Sequence, residues 1–147
     1  MDKHTARLAS FVILERDGKI LLTRRYNTSY ADGHYQMPSG HVEANEYPTE
    51  AAVRETKEEV GVDIDIENLE FLHTSYRINT TDGAGDYVDF FFKATKWSGE
   101  PVNAEPEKCD ELLWVAMNDL PENTVPVVRQ VLEYIQKGIP FSEIGRP

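Results

Sequence analysis

Hydrophobic positions in the first part of the chain fall in strand-like runs. "RLASFVILERDGKILLTRRY" predicts a strand from about Arg7 to Glu15, a tight turn at Asp17-Gly18 and a second strand from about Lys19 to Arg24. "NTSYADGHYQMPSGHVEANEYP" is rich in Gly, Pro, Ser, Asp and Asn and reads as loop, with one short strand near Tyr35 to Met37. The pattern then turns helical. Pro48 suits a first turn, Ala51, Ala52 and Val53 favour helix, and Gly61 sits where a C-cap belongs, so a helix is predicted over Pro48 to Val60.

Alternation returns in "VDIDIENLEFLHTSYRI", which predicts two short strand pieces, and the β-branched and aromatic run "YVDFFFKATKW" predicts another strand. Consecutive aromatics on a strand face opposite ways, so Phe91 or Phe92 belongs to the core. Gly83-Ala84-Gly85 lacks the Lys-Ser/Thr of a P-loop and reads as a hairpin turn. "SGEPVNAEPEKCDE" reads as a surface loop and "LLWVAM" as strand. Val127, Val128, Val131, Leu132 and Ile135 are spaced for a helix over Val125 to Lys137, and "GIPFSEIGRP" reads as a loosely held tail. A mixed sheet with one helix after a long loop and another at the C-terminal end makes an α+β or α/β sandwich.

At 147 residues the chain supports one core, hence one domain. Its net charge of −11 argues against binding a nucleic-acid polymer, where affinity comes from Lys and Arg displacing counterions. A small anionic ligand remains compatible, given local cations or a bound metal. The N-terminal apolar run is too short for a signal peptide or a membrane span, and a single cysteine, Cys109, forms no internal disulfide; both point to the cytoplasm. His4, His34, His41 and His73 lack metal-site spacing, and Cys109 reads as a small packed residue. Asn79-Thr80-Thr81 is a glycosylation sequon that matters only in a secreted protein.

On a wheel of roughly 100° per residue, Val53, Thr56 and Val60 share a side of the first helix with Ala52, facing the sheet, while Glu55, Glu58 and Glu59 group on the adjoining arc. Two readings stay open. The carboxylates are a solvated face, as Lys57 and Glu50 are, or they meet at the core border to hold a hard divalent cation. Arg54, four residues before Glu58 and eight after Glu46, is placed to neutralise one carboxylate and tie the loop to the helix.

From Gly40 there follow five residues, Glu46, seven residues, and then Arg54-Glu55-Thr56-Lys57-Glu58-Glu59-Val60-Gly61-Val62. This spacing resembles the Nudix box, GX5EX7REUXEEXGU, with every fixed polar and glycine position matched. Thr56 stands where the pattern prefers a bulky aliphatic; it keeps the β-branched shape and adds a hydroxyl. The element order also resembles that family. The resemblance implies a Nudix domain over 6–137 with a tail over 138–147, and an α/β fold: an α/β/α sandwich with a mixed sheet and a catalytic loop–helix.

Nudix proteins hydrolyse a nucleoside diphosphate linked to another group, with Mg²⁺ or Mn²⁺ as cofactor. The resemblance implies Glu55, Glu58 and Glu59 as metal ligands, joined by the backbone carbonyl of Ser39, with Glu46 and Arg54 holding the loop–helix geometry. Glu55 is the first candidate for general base, followed by Glu58 and the loop residues Glu105 and Glu107. A pyrophosphate linkage is anionic and resists water, so cations that spread charge and lower a water's pKa suit the task. Arg24, Arg25 and Arg77 are candidates for the phosphates, against the alternative that they are solvated strand-end residues.

"NAEPEKCDELLWV" resembles a stretch in Nudix enzymes acting on nucleoside triphosphates, and this implies a MutT-like hydrolase of (deoxy)nucleoside triphosphates that releases a monophosphate and pyrophosphate. ADP-ribose, another sugar nucleotide or a dinucleoside polyphosphate are the alternative substrates; acidic charge disfavours a capped RNA. Non-catalytic Nudix regulators usually lose box glutamates, and all are kept here. Tyr26, Tyr35, Tyr76, Tyr87 and Phe90 are candidates to stack a base. The expected partner is thus a small nucleotide, with no nucleic-acid polymer and no membrane; a homodimer through the sheet edge, the C-terminal helix or the tail Pro140 to Pro147 stays open.

Overall fold

The computed structural model describes residues 2–79 and 85–146. The Asn79-Thr80-Thr81 sequon and the Gly83-Ala84-Gly85 turn extend outside those residues. Among the described residues, eight strands form a mixed sheet in the order β3-β2-β1-β6-β5-β8, with β4 on β1 and β7 on β2. The elements are β1 (Ala6–Arg16), β2 (Lys19–Arg25), β3 (Tyr35–Gln36), β4 (Ser39–His41), α1 (Pro48–Val60), a 3₁₀ turn (Ile66–Asn68), β5 (Glu70–Arg77), β6 (Asp86–Ala94), β7 (Cys109–Ala116), α2 (Pro126–Gln136) and β8 (Phe141–Ile144).

Strand β1 explains the sandwich. Its odd residues Ala9, Phe11 and Ile13 join Phe91 and the α2 residues Val128, Val131 and Leu132 in one core cluster. Its even residues Val12 and Leu14 join Phe92 and the α1 residues Ala52 and Val60 in the other. Burial on both faces is what turns alternation into a continuous apolar run, and β1 accordingly pairs in parallel with β6 over Ala6 to Leu14. The expected α/β/α layering therefore holds, with Phe91 and Phe92 serving opposite cores.

The predicted hairpin, both helices and the strands β6 and β7 stand close to where periodicity put them. Three expectations change. The first piece of "VDIDIENLEFLHTSYRI" is an isolated bridge, Asp63 to Ser98, followed by the 3₁₀ turn. Ser39–His41 is a strand inside the predicted loop, paired with Phe11 to Ala9. The supposedly loose tail contains β8, which pairs in parallel with β5.

Helix α1 is fixed at both ends. The Tyr47 amide donates to the Glu50 carboxylate at 2.9 Å, so Glu50 caps the helix instead of only facing water. Ser10, buried in β1, donates its hydroxyl to the Pro48 carbonyl at 2.7 Å. Gly61 ends the helix at φ 76°, and the amides of Val102 and Ala104 donate to the carbonyls of Val60 and Glu59, so the 98–108 loop closes the last turn. The buried Thr56 hydroxyl is satisfied by the Ala52 carbonyl at 2.7 Å, which is how a polar residue serves at an aliphatic position. No helix among the described residues is long and apolar enough to cross a membrane.

Candidate active site

Helix α1 presents its carboxylates to the loop strand β4, and Arg54 organises them. Its guanidinium forms a two-point pair with Glu46 at 2.8 and 3.0 Å and donates to the His41 carbonyl at 3.0 Å. Its Nη1 also reaches Glu55 at 2.7 Å and Glu58 at 3.4 Å. Glu46 accepts a further bond from the Glu43 amide at 2.9 Å, and these donors hold its pKa below the usual carboxylate range. One arginine thus ties the loop to the helix. Lys57, on the outer face, pairs with Asp63 at 3.0 Å where both are exposed, a contact worth little.

Gly40 is where the backbone comes closest to the helix. A Cβ there would lie 2.0 Å from the Glu55 carboxyl carbon, so only glycine lets that carboxylate lie against β4. Burial raises the pKa of Glu55, against the opposing influence of Arg54. Glu59 is pushed further, well above the ordinary value: burial is the main cause, the charges of Glu55 and Glu105 add to it, and the Ser39 amide, donating at 3.0 Å, and Arg25 oppose it. Two desolvated carboxylates side by side are an electrostatic debt that a hard cation relieves.

The oxygen donor set fits Mg²⁺ or Mn²⁺ in chemistry. Among the described residues, however, no three His, Cys, Asp or Glu side chains are gathered closely enough to hold an ion as they stand. Glu55 and Glu58 are engaged by Arg54, and Glu58 is half exposed. Ser39 meets Glu59 through its N–H, and its hydroxyl accepts from Gln36 at 3.3 Å.

Glu59, Ser39 and Gly40 open into a cleft of about 770 Å³ that runs over β1, β6 and β5 beneath the start of α2. The sequence-chosen arginines divide here. Arg25 lines the cleft with no carboxylate partner among the described residues; its Nε donates to the Tyr30 carbonyl at 2.7 Å. Arg24 is turned away from the main cleft, paired with Asp110 at 2.7 and 3.1 Å. Arg77 does line it, but Asp89, fully buried, holds its guanidinium at 3.0 and 3.2 Å and Tyr87 lies under it at 4.3 Å. Arg77 is thus electrically neutralised in place.

Lys108, which sequence reasoning missed, lines both this cleft and a smaller recess of about 100 Å³ that also touches Arg24, Glu59, Glu105 and Cys109. Its ammonium has no ion pair among the described residues. In the "PEKC" turn the Lys108 and Cys109 amides close on the Glu105 carbonyl. Glu107 in the same turn is exposed. Cys109 is half-buried and burial raises its thiol pKa, in keeping with a packed residue.

Of the aromatic candidates only Tyr87 lines the cleft, its ring 5.9 Å from that of His41. Tyr35 is buried with its hydroxyl donating to Glu111 at 2.8 Å, Tyr76 donates to Asp86 at 3.0 Å, Phe90 packs on the α1-side core, and Tyr26 is exposed away from the cleft. Tyr30 and, from α2, Val127 and Gln130 line the cleft without having been singled out.

The sequence profile of the NUDIX domain matches residues 4–135. An 8-oxo-dGTP diphosphatase of Haemophilus influenzae is 30% identical over 127 residues, covering 86% of this chain and 87% of that one. An ADP-ribose pyrophosphatase of Methanocaldococcus jannaschii is 31% identical over 124 residues, covering 84% and 70%. A solved structure of a MutT NUDIX hydrolase from Burkholderia pseudomallei shares the fold with a TM-score of 0.80 at 30% identity, covering 88% of this chain and 98% of that one. A profile match from the first strand to the second helix, with diphosphatase relatives along the same length, makes this chain a pyrophosphohydrolase of the Nudix superfamily.

Proposed function

We propose that this enzyme hydrolyses (deoxy)nucleoside triphosphates to a nucleoside monophosphate and pyrophosphate in the presence of Mg²⁺ or Mn²⁺. What carries the reading is the division of the cleft: desolvated Glu59, with Glu55 beside it on α1, and the unpaired cations Arg25 and Lys108 at one end, and Ile78, Ile144 and the Asp89-neutralised Arg77 at the other. A triphosphate has the same division. The similarity to an 8-oxo-dGTP diphosphatase supports it.

In this reading Glu55, Glu58 and Glu59, with the Ser39 carbonyl, would hold a divalent cation, which would supply charge neutralisation and lower the pKa of a bound water. Arg25 and Lys108 bind the phosphate oxygens as charged donors, and Arg24 and Arg77 act indirectly, through the carboxylates that hold them. The water oxygen bonds to phosphorus, its proton passes to the Glu55 carboxylate, and the bond from phosphorus to the bridging oxygen breaks, so pyrophosphate leaves with the bond's electron pair. Glu58, Glu105 and Glu107 are the other candidates for the proton. Arg54 and Glu46 keep the glutamates in place.

Similarity at 31% identity to an ADP-ribose pyrophosphatase favours a sugar nucleotide as the second reading. Initial rates with (deoxy)nucleoside triphosphates, oxidised nucleotides, ADP-ribose and dinucleoside polyphosphates, each with and without Mg²⁺, test both. Metal-dependent pyrophosphate release from a triphosphate is the expected result. Preference for ADP-ribose would select the second reading, and no turnover of any of them would leave a nucleotide-binding regulator in place of the enzyme.

A further inference from the structure

The end of the chain is built into the sheet by groups that a loose tail would not need. His73, fully buried in β5, meets the Ile139 carbonyl through Nδ1 at 2.7 Å and the Ser142 hydroxyl through Nε2 at 2.8 Å, and stacks on Tyr134 of α2 at 5.8 Å. The Thr74 and Ile78 amides donate to the carbonyls of Pro140 and Ile144. Gly145, at φ 111°, lies so close to Ile78 that an added Cβ would sit 2.2 Å from its carbonyl oxygen. Ile144 and Gly145 are thereby held against the cleft, with Ile144 in register with Arg77.

Their position in the sheet gives them a function. Ser39 and Gly40 are on β4 and Ile144 is on β8, with β1, β6 and β5 between them. Four strand steps of about 4.8 Å put the carboxylate end and the Ile144 end roughly 19 Å apart. The free cations lie towards the first end. At the second, Asp89 neutralises Arg77, and Ile78, Asn79, Ile144 and Gly145 line the cleft, while Tyr87 lies between His41 and Arg77.

We propose that β8 is the specificity wall of the cleft, with Ile144 bounding the group carried on the diphosphate so that one nucleoside fits and a second nucleoside or longer chain does not. The inference rests on the reading of the cleft as a nucleotide hydrolase site. Apolar side chains at such a boundary discriminate by size, at roughly 10-fold or more for a clear change in volume. The wall acts on binding and leaves the glutamates untouched.

Ile144→Ala, Ile144→Trp and Gly145→Ala test it, with kcat and KM measured separately for a purine nucleoside triphosphate and a dinucleoside tetraphosphate, and the melting temperature read for each variant. Ile144→Ala should raise the kcat/KM ratio of dinucleotide to mononucleotide by about 10-fold, and Ile144→Trp should raise KM for the purine triphosphate with kcat little changed. Gly145→Ala, which forces the strand end off Ile78, should move the ratio as Ile144→Ala does. Folded variants whose ratio stays within about twofold of wild type overturn the wall and leave the hydrolase reading standing. A wild-type enzyme that turns over neither nucleotide overturns both.

Discussion

Replacing Gly40 with alanine separates the chemistry of the site from the stability of the fold. The new Cβ would sit 2.0, 2.3 and 2.5 Å from Cδ, Oε1 and Cγ of Glu55, and these three are its nearest neighbours. Non-bonded carbon atoms rest about 3.5–4.0 Å apart, so the carboxyl must retreat by roughly 1.5 Å. Because only the end of a flexible side chain has to move, and Gly40 is not among the positive-φ glycines, the backbone can stay. Through the unfolded chain, alanine gains about 0.4–1 kcal/mol at such a position. A displacement of about 1 Å at a reacting group costs about 10²-fold in rate, so Gly40→Ala should lose that much kcat or more with a melting temperature close to wild type.

The assay is pyrophosphate release from a nucleoside triphosphate with saturating Mg²⁺, beside a thermal melt. The double variant supplies the control. If Glu55 is what alanine displaces, adding Gly40→Ala to Glu55→Ala should cost almost nothing more, because the two changes remove the same group. A Gly40→Ala enzyme within about threefold of wild type would refute the reasoning, and so would a full second loss in the Glu55→Ala background.

Glu59→Gln should lower turnover by several orders of magnitude and weaken Mg²⁺ binding, measured by calorimetry, while the fold persists. In metal-free protein Glu59 and Glu55 have pKa values raised by folding, so the folded state holds their protons more tightly than the unfolded one. Their contribution is then most favourable below the unfolded value of about 4.3 and is lost as pH rises through the folded values; melts in a chelator should fall with pH above that point, and Mg²⁺ or Glu59→Gln should reduce the fall. Arg54→Met should destabilise by up to about 3 kcal/mol in a denaturant titration, since it strands the partly buried Glu46 and Glu55, and Arg54→Lys should recover only part because lysine cannot bind Glu46 at two points.

What could be read from the sequence follows from how local the determining forces are. Helix α1 carries its own apolar stripe, its own first-turn proline and its own terminal glycine, so its limits and the clustering of its glutamates needed no partner. Strand β4 is three residues of Ser, Gly and His with no alternation, and only its pairing with β1 makes it a strand. Strand β8 depends on a buried histidine whose partners lie 66 and 69 residues away. The arginines show the same limit. Their types were visible, but whether each is free depends on cross-strand carboxylates: Asp89, a lone acid in an aromatic run, was the visible sign that Arg77 is matched.

Strand β1 leaves little room for insertion. Ala9 and Phe11 form part of the cleft floor, while Ser10 between them anchors the helix that bears the glutamates. A slip of one residue would exchange these tasks together, putting a hydroxyl into the floor and an aromatic ring where Pro48 needs a donor. Length changes should therefore be excluded from within β1, while loop 98–108, outside that alternation, can vary in length as long as its amides still reach the end of α1.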